Sequence, residues 1–185
     1  MATITHGSGS VASGQTRTEV RTVTATREAA TRYVLAGLRL ALGWVFLWAF
    51  LDKVFGLGHE TKLAWYNGGN PTRGFLKGAE GPFAGFYHSI AGAGWTNWLF
   101  MLGLLTIGVA LISGIGMRFA AIAGGIMLVM MWSAVLPPAN NIFMDDHLIY
   151  AGLLAILALS SAGDTWGLGR VWSRIPQVAA RPWLR

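Results

Sequence analysis

The chain has 185 residues, 54% of them hydrophobic and 12% charged, with a formal net charge of +6 and no cysteine. A soluble domain carries about a quarter charged residues, so this composition excludes an ordinary water-soluble globule, and the length leaves room for one compact bundle without a second domain of usual size. The missing cysteines exclude a disulfide framework, a thiol nucleophile and any iron–sulfur or thiolate–zinc centre of the chain's own.

Residues 1–32 are rich in Ser, Thr and Gly and hold no apolar stretch of the signal-peptide kind. They read as a flexible cytoplasmic tail with a helical stretch from about Glu19 to Arg32. The first apolar segment then acts as its own insertion signal. Tyr33–Leu51 carries one charge, Arg39, in 19 residues, and the helix is expected to run on to about Phe55. The connection Gly56–Gly94 holds Trp65, Tyr66, Phe75, Phe83, Phe86 and Tyr87, divided by Asn67-Gly68-Gly69-Asn70-Pro71 and Gly81-Pro82. That pattern predicts two short interfacial helices, near Thr61–Tyr66 and Pro82–Ile90, with turns at the Gly/Pro clusters.

Trp98–Ile115 and Phe119–Leu136 are uncharged over 18 residues each, and join in a tight hairpin across Gly116-Met117-Arg118. Pro137-Pro138 stops the third helix, Asp145 or Asp146 is placed to cap the fourth, and Leu148–Ala162 is uncharged over 15 residues. Gly163 and Trp166 can carry this last run into the interface. About 18–20 helical residues cover a hydrocarbon core of roughly 30 Å. Each run is too long for a strand, and none alternates polar with apolar residues. Beyond Asp164, Trp166, Leu168, Val171, Trp172 and Ile175 alternate with Arg170 and Arg174, which predicts an amphipathic helix on the membrane surface as far as Pro176. Ala110–Gly114, Ala120–Gly124 and Ala121–Gly125 are small-residue pairs at one helical turn, suited to close helix packing.

The expected fold class is all-α: a polytopic membrane protein with a four-transmembrane-helix bundle over 33–169, short interfacial helices in the loop between the first two spans, and an interfacial cytoplasmic tail over 170–185. Arg17, Arg21, Arg27, Arg32, Arg118, Arg170, Arg174, Arg181 and Arg185 fall on one side of that topology. The other side mixes Lys53, Lys62, Arg73 and Lys77 with Asp52, Glu60, Glu80, Asp145 and Asp146. The positive-inside rule then puts both termini in the cytoplasm. The basic face has anionic lipid as its partner, and nucleic acid is not needed.

Arg39 is the sharpest single residue, since a charge inside the membrane costs roughly 2.5 kcal/mol or more unless it snorkels or pairs. Asp164, at the near end of the fourth helix, is the one carboxylate outside the tail at matching depth. Asp52, 13 residues further along the same helix, lies about 20 Å away. At the opposite end, Asp52 and Lys53 are expected to meet Asn140, Asn141, Asp145, Asp146 and His147, with Lys53 bonding one of the aspartates. Such a mouth suits an anion, a quinone head group or proton transfer, while a capped, solvated helix end is the plainer reading. Trp65, Tyr66, Phe86 and Tyr87 fit either a quinone pocket or an ordinary aromatic belt. No bis-histidine haem pair, nucleotide loop or hydrolase triad occurs.

Leu38-Arg39-Leu40-Ala41-Leu42-Gly43-Trp44-Val45-Phe46 followed by Asp52-Lys53 resembles the opening of the DoxX family, where an Arg, a Gly four later, a Phe three after that and a Lys near the helix end recur. Gly108-Val109-Ala110-Leu111-Ile112-Ser113-Gly114, Met117-Arg118-Phe119-Ala120-Ala121, His147-Leu148 and Gly163–Gly169 continue the likeness, which spans Tyr33–Gly169. The resemblance implies a four-helix membrane protein in which Arg39, Lys53 and Arg118 are motif residues. It also implies a redox context, since DoxD-like relatives are described as a subunit of thiosulfate:quinone oxidoreductase. In one departure, Leu104 stands where many members carry a Glu, removing an obvious proton or quinone ligand.

Two functions follow. The first is an accessory or stabilising subunit of a membrane redox complex in the cell membrane, with a larger complex or a homo-oligomer as partner. The alternative is a quinone-reactive oxidoreductase subunit. Its quinone site would comprise Arg39, Asp52, Lys53, Asp146 and His147, with His147 the candidate catalytic proton handler and Arg39–Asp164 a structural ion pair. Quinone is the one cofactor in view, nothing is bound covalently, and no metal site is expected.

Overall fold

In the computed structural model, residues 9–59 and 62–184 are described, and among them all regular structure is helical. The chain divides into two compact units at Val34/Leu35. The helix α1 (Gly9–Phe55) is continuous. The stretch read as a flexible tail is therefore helical from Gly9 on. No proline occurs before Pro71, and between Gly14 and Gly37 there is no glycine, so nothing in the sequence ends the helix before it reaches the apolar segment.

Within the second unit, Leu35–Arg185, the long helices are the remainder of α1, then α4 (Gly94–Ser113), α5 (Met117–Ala134) and α6 (Asp146–Leu159). Between α1 and α4 lie a 3₁₀ turn (Trp65–Asn67), α2 (Arg73–Lys77) and α3 (Ala84–Ile90). The helix expected near Pro82–Ile90 is present as α3. The one expected near Thr61–Tyr66 is reduced to the 3₁₀ turn, because Gly68 at φ 89° closes it after three residues. The sequence reading missed α2. After α6 come single-turn helices α7 (Gly169–Trp172) and α8 (Pro176–Ala179) in place of one amphipathic helix.

Three helical segments are long and apolar enough to cross a bilayer: Val23–Phe55, Gly94–Ser113 and Met117–Ala134. The fourth apolar helix, α6, has 14 residues, about 21 Å against a hydrocarbon core of roughly 30 Å. It starts as the sequence predicts, with the Asp145 side chain accepting from the Leu148 amide at 3.3 Å. It stops early because Ser161 turns left-handed, at φ 52°, into a 3₁₀ turn at Ala162–Asp164.

Burial follows helical spacing, but exposure does not follow polarity. On α4, Met101, Leu104, Ile107 and Leu111 are buried while Leu99, Leu102 and Val109 are exposed. On α5, Ala120, Gly124 and Leu128 face in while Ile122, Ile126 and Val129 face out. Apolar residues on both faces belong in lipid, where burial between helices brings no hydrophobic gain and close packing must hold them together. Two glycines set the approach of α1 to α4. A Cβ at Gly108 would lie 2.9 Å from the Leu47 backbone nitrogen, and one at Gly43 2.9 Å from the Leu111 Cβ. Gly124 does the same between α5 and Leu154 of α6, at 2.7 Å. Of the small-residue pairs read from sequence, Gly124 and Gly114 make close contacts, whereas Gly125 has open space around it.

Candidate functional site

Polar residues inside the bundle gather at its two ends. Arg39 and Lys53, 14 residues apart on α1, lie about 21 Å from one another along the axis.

At the first end Arg39 is fully buried. Its Nη1 donates to the Leu111 carbonyl and, at 2.9 Å, to the Ile112 carbonyl. Its Nη2 donates to the carbonyls of Thr165 at 3.2 Å and Trp166 at 2.9 Å. The first pair of acceptors belongs to the last turn of α4, where carbonyls have no intrahelical partner and the helix dipole is negative. Ala110 O accepts from the Gly114 and Ile115 amides, and Ser113 O from the Leu168 amide at 2.8 Å. The four terminal carbonyls of α4 are thus all satisfied, two of them by one guanidinium whose planar fork suits paired acceptors.

Glycines make room for it. A Cβ on Gly114 would come 2.7 Å from Gly163 O, and one on Gly167 would come 2.5 Å from Gly163 O and 3.1 Å from Arg39 Nη2. The segment 163–169 can pass beneath α4 only because those side chains are missing. This corrects the expected ion pair. Asp164 is exposed, and among the described residues Arg39 makes no salt bridge to it. Arg39 does point into the bundle, but backbone carbonyls receive it. Sequence reasoning singled out Arg39 and missed its partners, because a carbonyl is present at every residue. The available signal was three glycines, Gly163, Gly167 and Gly169, within seven residues.

At the second end the expected bond from Lys53 to an aspartate at the start of α6 does not form among the described residues. Asp52 is 1% exposed and its Oδ1 accepts from the His59 amide at 3.2 Å, folding back the turn that follows α1. Lys53, rotated about 100° from Asp52 by the helix, instead lines two cavities shared with the α2 region. It makes no salt bridge to Asp145 or Asp146 among the described residues. Those aspartates turn to His147, whose Nδ1 lies 2.6 Å from Asp145 Oδ2 and 3.5 Å from Asp146 Oδ1. The ligand atoms of these three lie within 4.8 Å of one another, close enough to share a cation. Capping and hydrogen bonding within the loop account for that spacing.

The loop between α1 and α4 is fastened over the helices. Asn70 Nδ2 donates to Gly92 O at 3.1 Å, and its Oδ1 accepts the Thr72 and Arg73 amides. The Thr72 hydroxyl donates to Asn97 Oδ1 at 2.6 Å, and the Tyr87 hydroxyl to Met130 O at 2.9 Å. Beneath it lies a cavity of about 380 Å³, walled by Phe75, Phe86, Tyr87, Trp95 and Met127 among others, with Lys53 the one charged lining residue among the described residues. Thr96, 9% exposed, also lines it, and its hydroxyl has no hydrogen-bond partner among the described residues. A second cavity of about 390 Å³ adjoins it through Lys53, Pro71 and Phe75, and is lined as well by Lys62, Arg73 and Asn70. Phe86 and Tyr87 are thus cavity residues, while Trp65 stacks edge-on with Trp98 at 4.7 Å and Tyr66 with Phe55 at 6.3 Å.

The model of the DoxX family matches residues 34–137, 104 of the 185. The chain belongs to the DoxX family. The match takes in both Arg39 and Lys53, the loop over the cavity, α4 and α5, and ends before α6. Neither the curated proteins nor the solved structures contain a match. As a DoxX protein with several long apolar helices, the chain is an integral membrane protein.

Proposed function

We propose that this DoxX protein is an accessory subunit that stabilises a membrane redox complex, crossing the cell membrane four times with both termini in the cytoplasm. The observation that carries this reading is the use made of Arg39. The one cation within the first apolar run is spent on four backbone carbonyls, which is the work of a scaffold. Two further features support it. Leu104, where many relatives carry a Glu, is a core residue 3% exposed. His147 bonds within its own loop, and among the described residues the titratable side chains lining the apolar cavity are Lys53 and Tyr87. The charge asymmetry supports the orientation.

The test is complementation of a deletion strain with tagged wild type, His147→Ala or Lys53→Gln. Membrane abundance of the co-purifying redox enzyme and quinone-linked electron transfer are both measured. Loss of the chain should lower the enzyme's abundance, and both variants should restore abundance and transfer alike. A His147→Ala protein that assembles normally but abolishes transfer would establish the quinone-reactive reading instead. For the topology, cysteines placed at Ser10 and Gly78 should label from opposite faces of the membrane, and labelling from one face would remove the four-crossing arrangement.

A further inference from the structure

The two adjoining cavities differ sharply in chemistry. One is a deep apolar slot between α4, α5 and the overlying loop. The other is polar and lined by Lys53, Lys62 and Arg73, with no carboxylate in either wall among the described residues. None of these three cations has an ion pair among the described residues. Lys53, Pro71 and Phe75 belong to both linings, so a molecule can occupy the two at once. We propose that they form one binding site for an anionic membrane phospholipid, its phosphate head against Lys53, Lys62 and Arg73 and an acyl chain in the slot beneath Phe86 and Tyr87.

Each part of the site argues for part of that ligand. Three cations without an ion pair among the described residues call for negative charge, which a neutral quinone head does not supply. The volume of about 380 Å³ and the apolar lining of the slot are those of a small-molecule site, and away from Lys53 its contents must be apolar apart from one point. That point is the Thr96 hydroxyl, a buried donor without a partner among the described residues, which an ester carbonyl below the phosphate would satisfy. The loop that forms the roof is held by Thr72–Asn97 and by Tyr87 on α5, so the slot exists before the lipid arrives. This assignment is independent of the accessory-subunit reading.

The test uses the full-length protein, purified in neutral detergent and washed free of lipid. Native mass spectrometry then follows titration with dioleoyl phosphatidylglycerol, dioleoyl phosphatidylcholine, sodium phosphate or decylubiquinone. Phosphatidylglycerol should bind at least tenfold more tightly than phosphatidylcholine, and phosphate alone should not displace it. Lys53→Gln combined with Arg73→Gln should erase the preference, and Ala123→Phe, which fills the slot, should weaken both lipids. Equal binding of the two lipids, a preference that survives the double variant, full competition by phosphate, or displacement by decylubiquinone would each overturn the assignment. Should the double variant misfold, Lys62→Gln on the exposed loop should still lower the preference, and no change there would count against the site.

Discussion

The two ends of the bundle solve opposite problems with a cation on the same helix. At the Arg39 end, the guanidinium is buried and meets four carbonyls, while glycines bring the backbone close enough to close the space. At the Lys53 end, the ammonium faces cavities and has no ion pair among the described residues. One charge is consumed by the fold, and the other is left available to something outside it. An end that is full stabilises the bundle, whereas an end with room can bind.

The largest effect that would break this contrast is at Arg39. Arg39→Leu should strand the carbonyls of Leu111, Ile112, Thr165 and Trp166 without donors, at about 1–3 kcal/mol for each that water cannot reach. The expected outcome is loss of the monodisperse species on size exclusion, with Arg39→Lys intermediate because an ammonium lacks the fork. A stable, fully folded Arg39→Leu protein would mean that the end is not fastened this way. Gly108→Leu comes next. It forces a side chain into the Leu47 backbone and should destabilise by about 1–3 kcal/mol, read as a fall in thermal midpoint.

At the other end effects should be smaller. Asp145→Ala removes the α6 cap and should cost about 1 kcal/mol, with Asp145→Asn recovering most of it. Thr96→Val in lipid-free protein should be neutral or stabilising by up to about 1 kcal/mol, since it removes a hydroxyl that has no partner among the described residues. A clear loss of stability in Thr96→Val would show that the hydroxyl is already satisfied and would blur the contrast. The smallest effect belongs to Lys53→Gln, which should leave the unfolding free energy of lipid-free protein within about 0.5 kcal/mol of wild type.

Much of this was legible in the sequence, and the failures have a common cause. The apolar runs at 33–51, 98–115 and 119–136 became parts of α1, α4 and α5, and Asp145 caps α6 as its position implied. These outcomes depend on neighbours within a few residues. The missed features were non-local: α6 ends early because the segment after it is drawn beneath α4, and Lys53 meets the α2 region instead of the start of α6.

By itself, then, the sequence determined that the chain is a helical membrane protein, that Arg39 must find polar company and that the helices pack through small residues. Hydropathy, helix period and the cost of a buried charge are properties of the residues and their spacing, and no other part of the chain can revoke them. Only the tertiary structure decided which atoms receive Arg39 and which way Lys53 faces. Carbonyl acceptors are the same at every position, and one step along a helix turns a side chain by about 100°. The meeting of three cations with an apolar slot needed residues from 53 to 131 brought together in space, and no local pattern encodes that encounter.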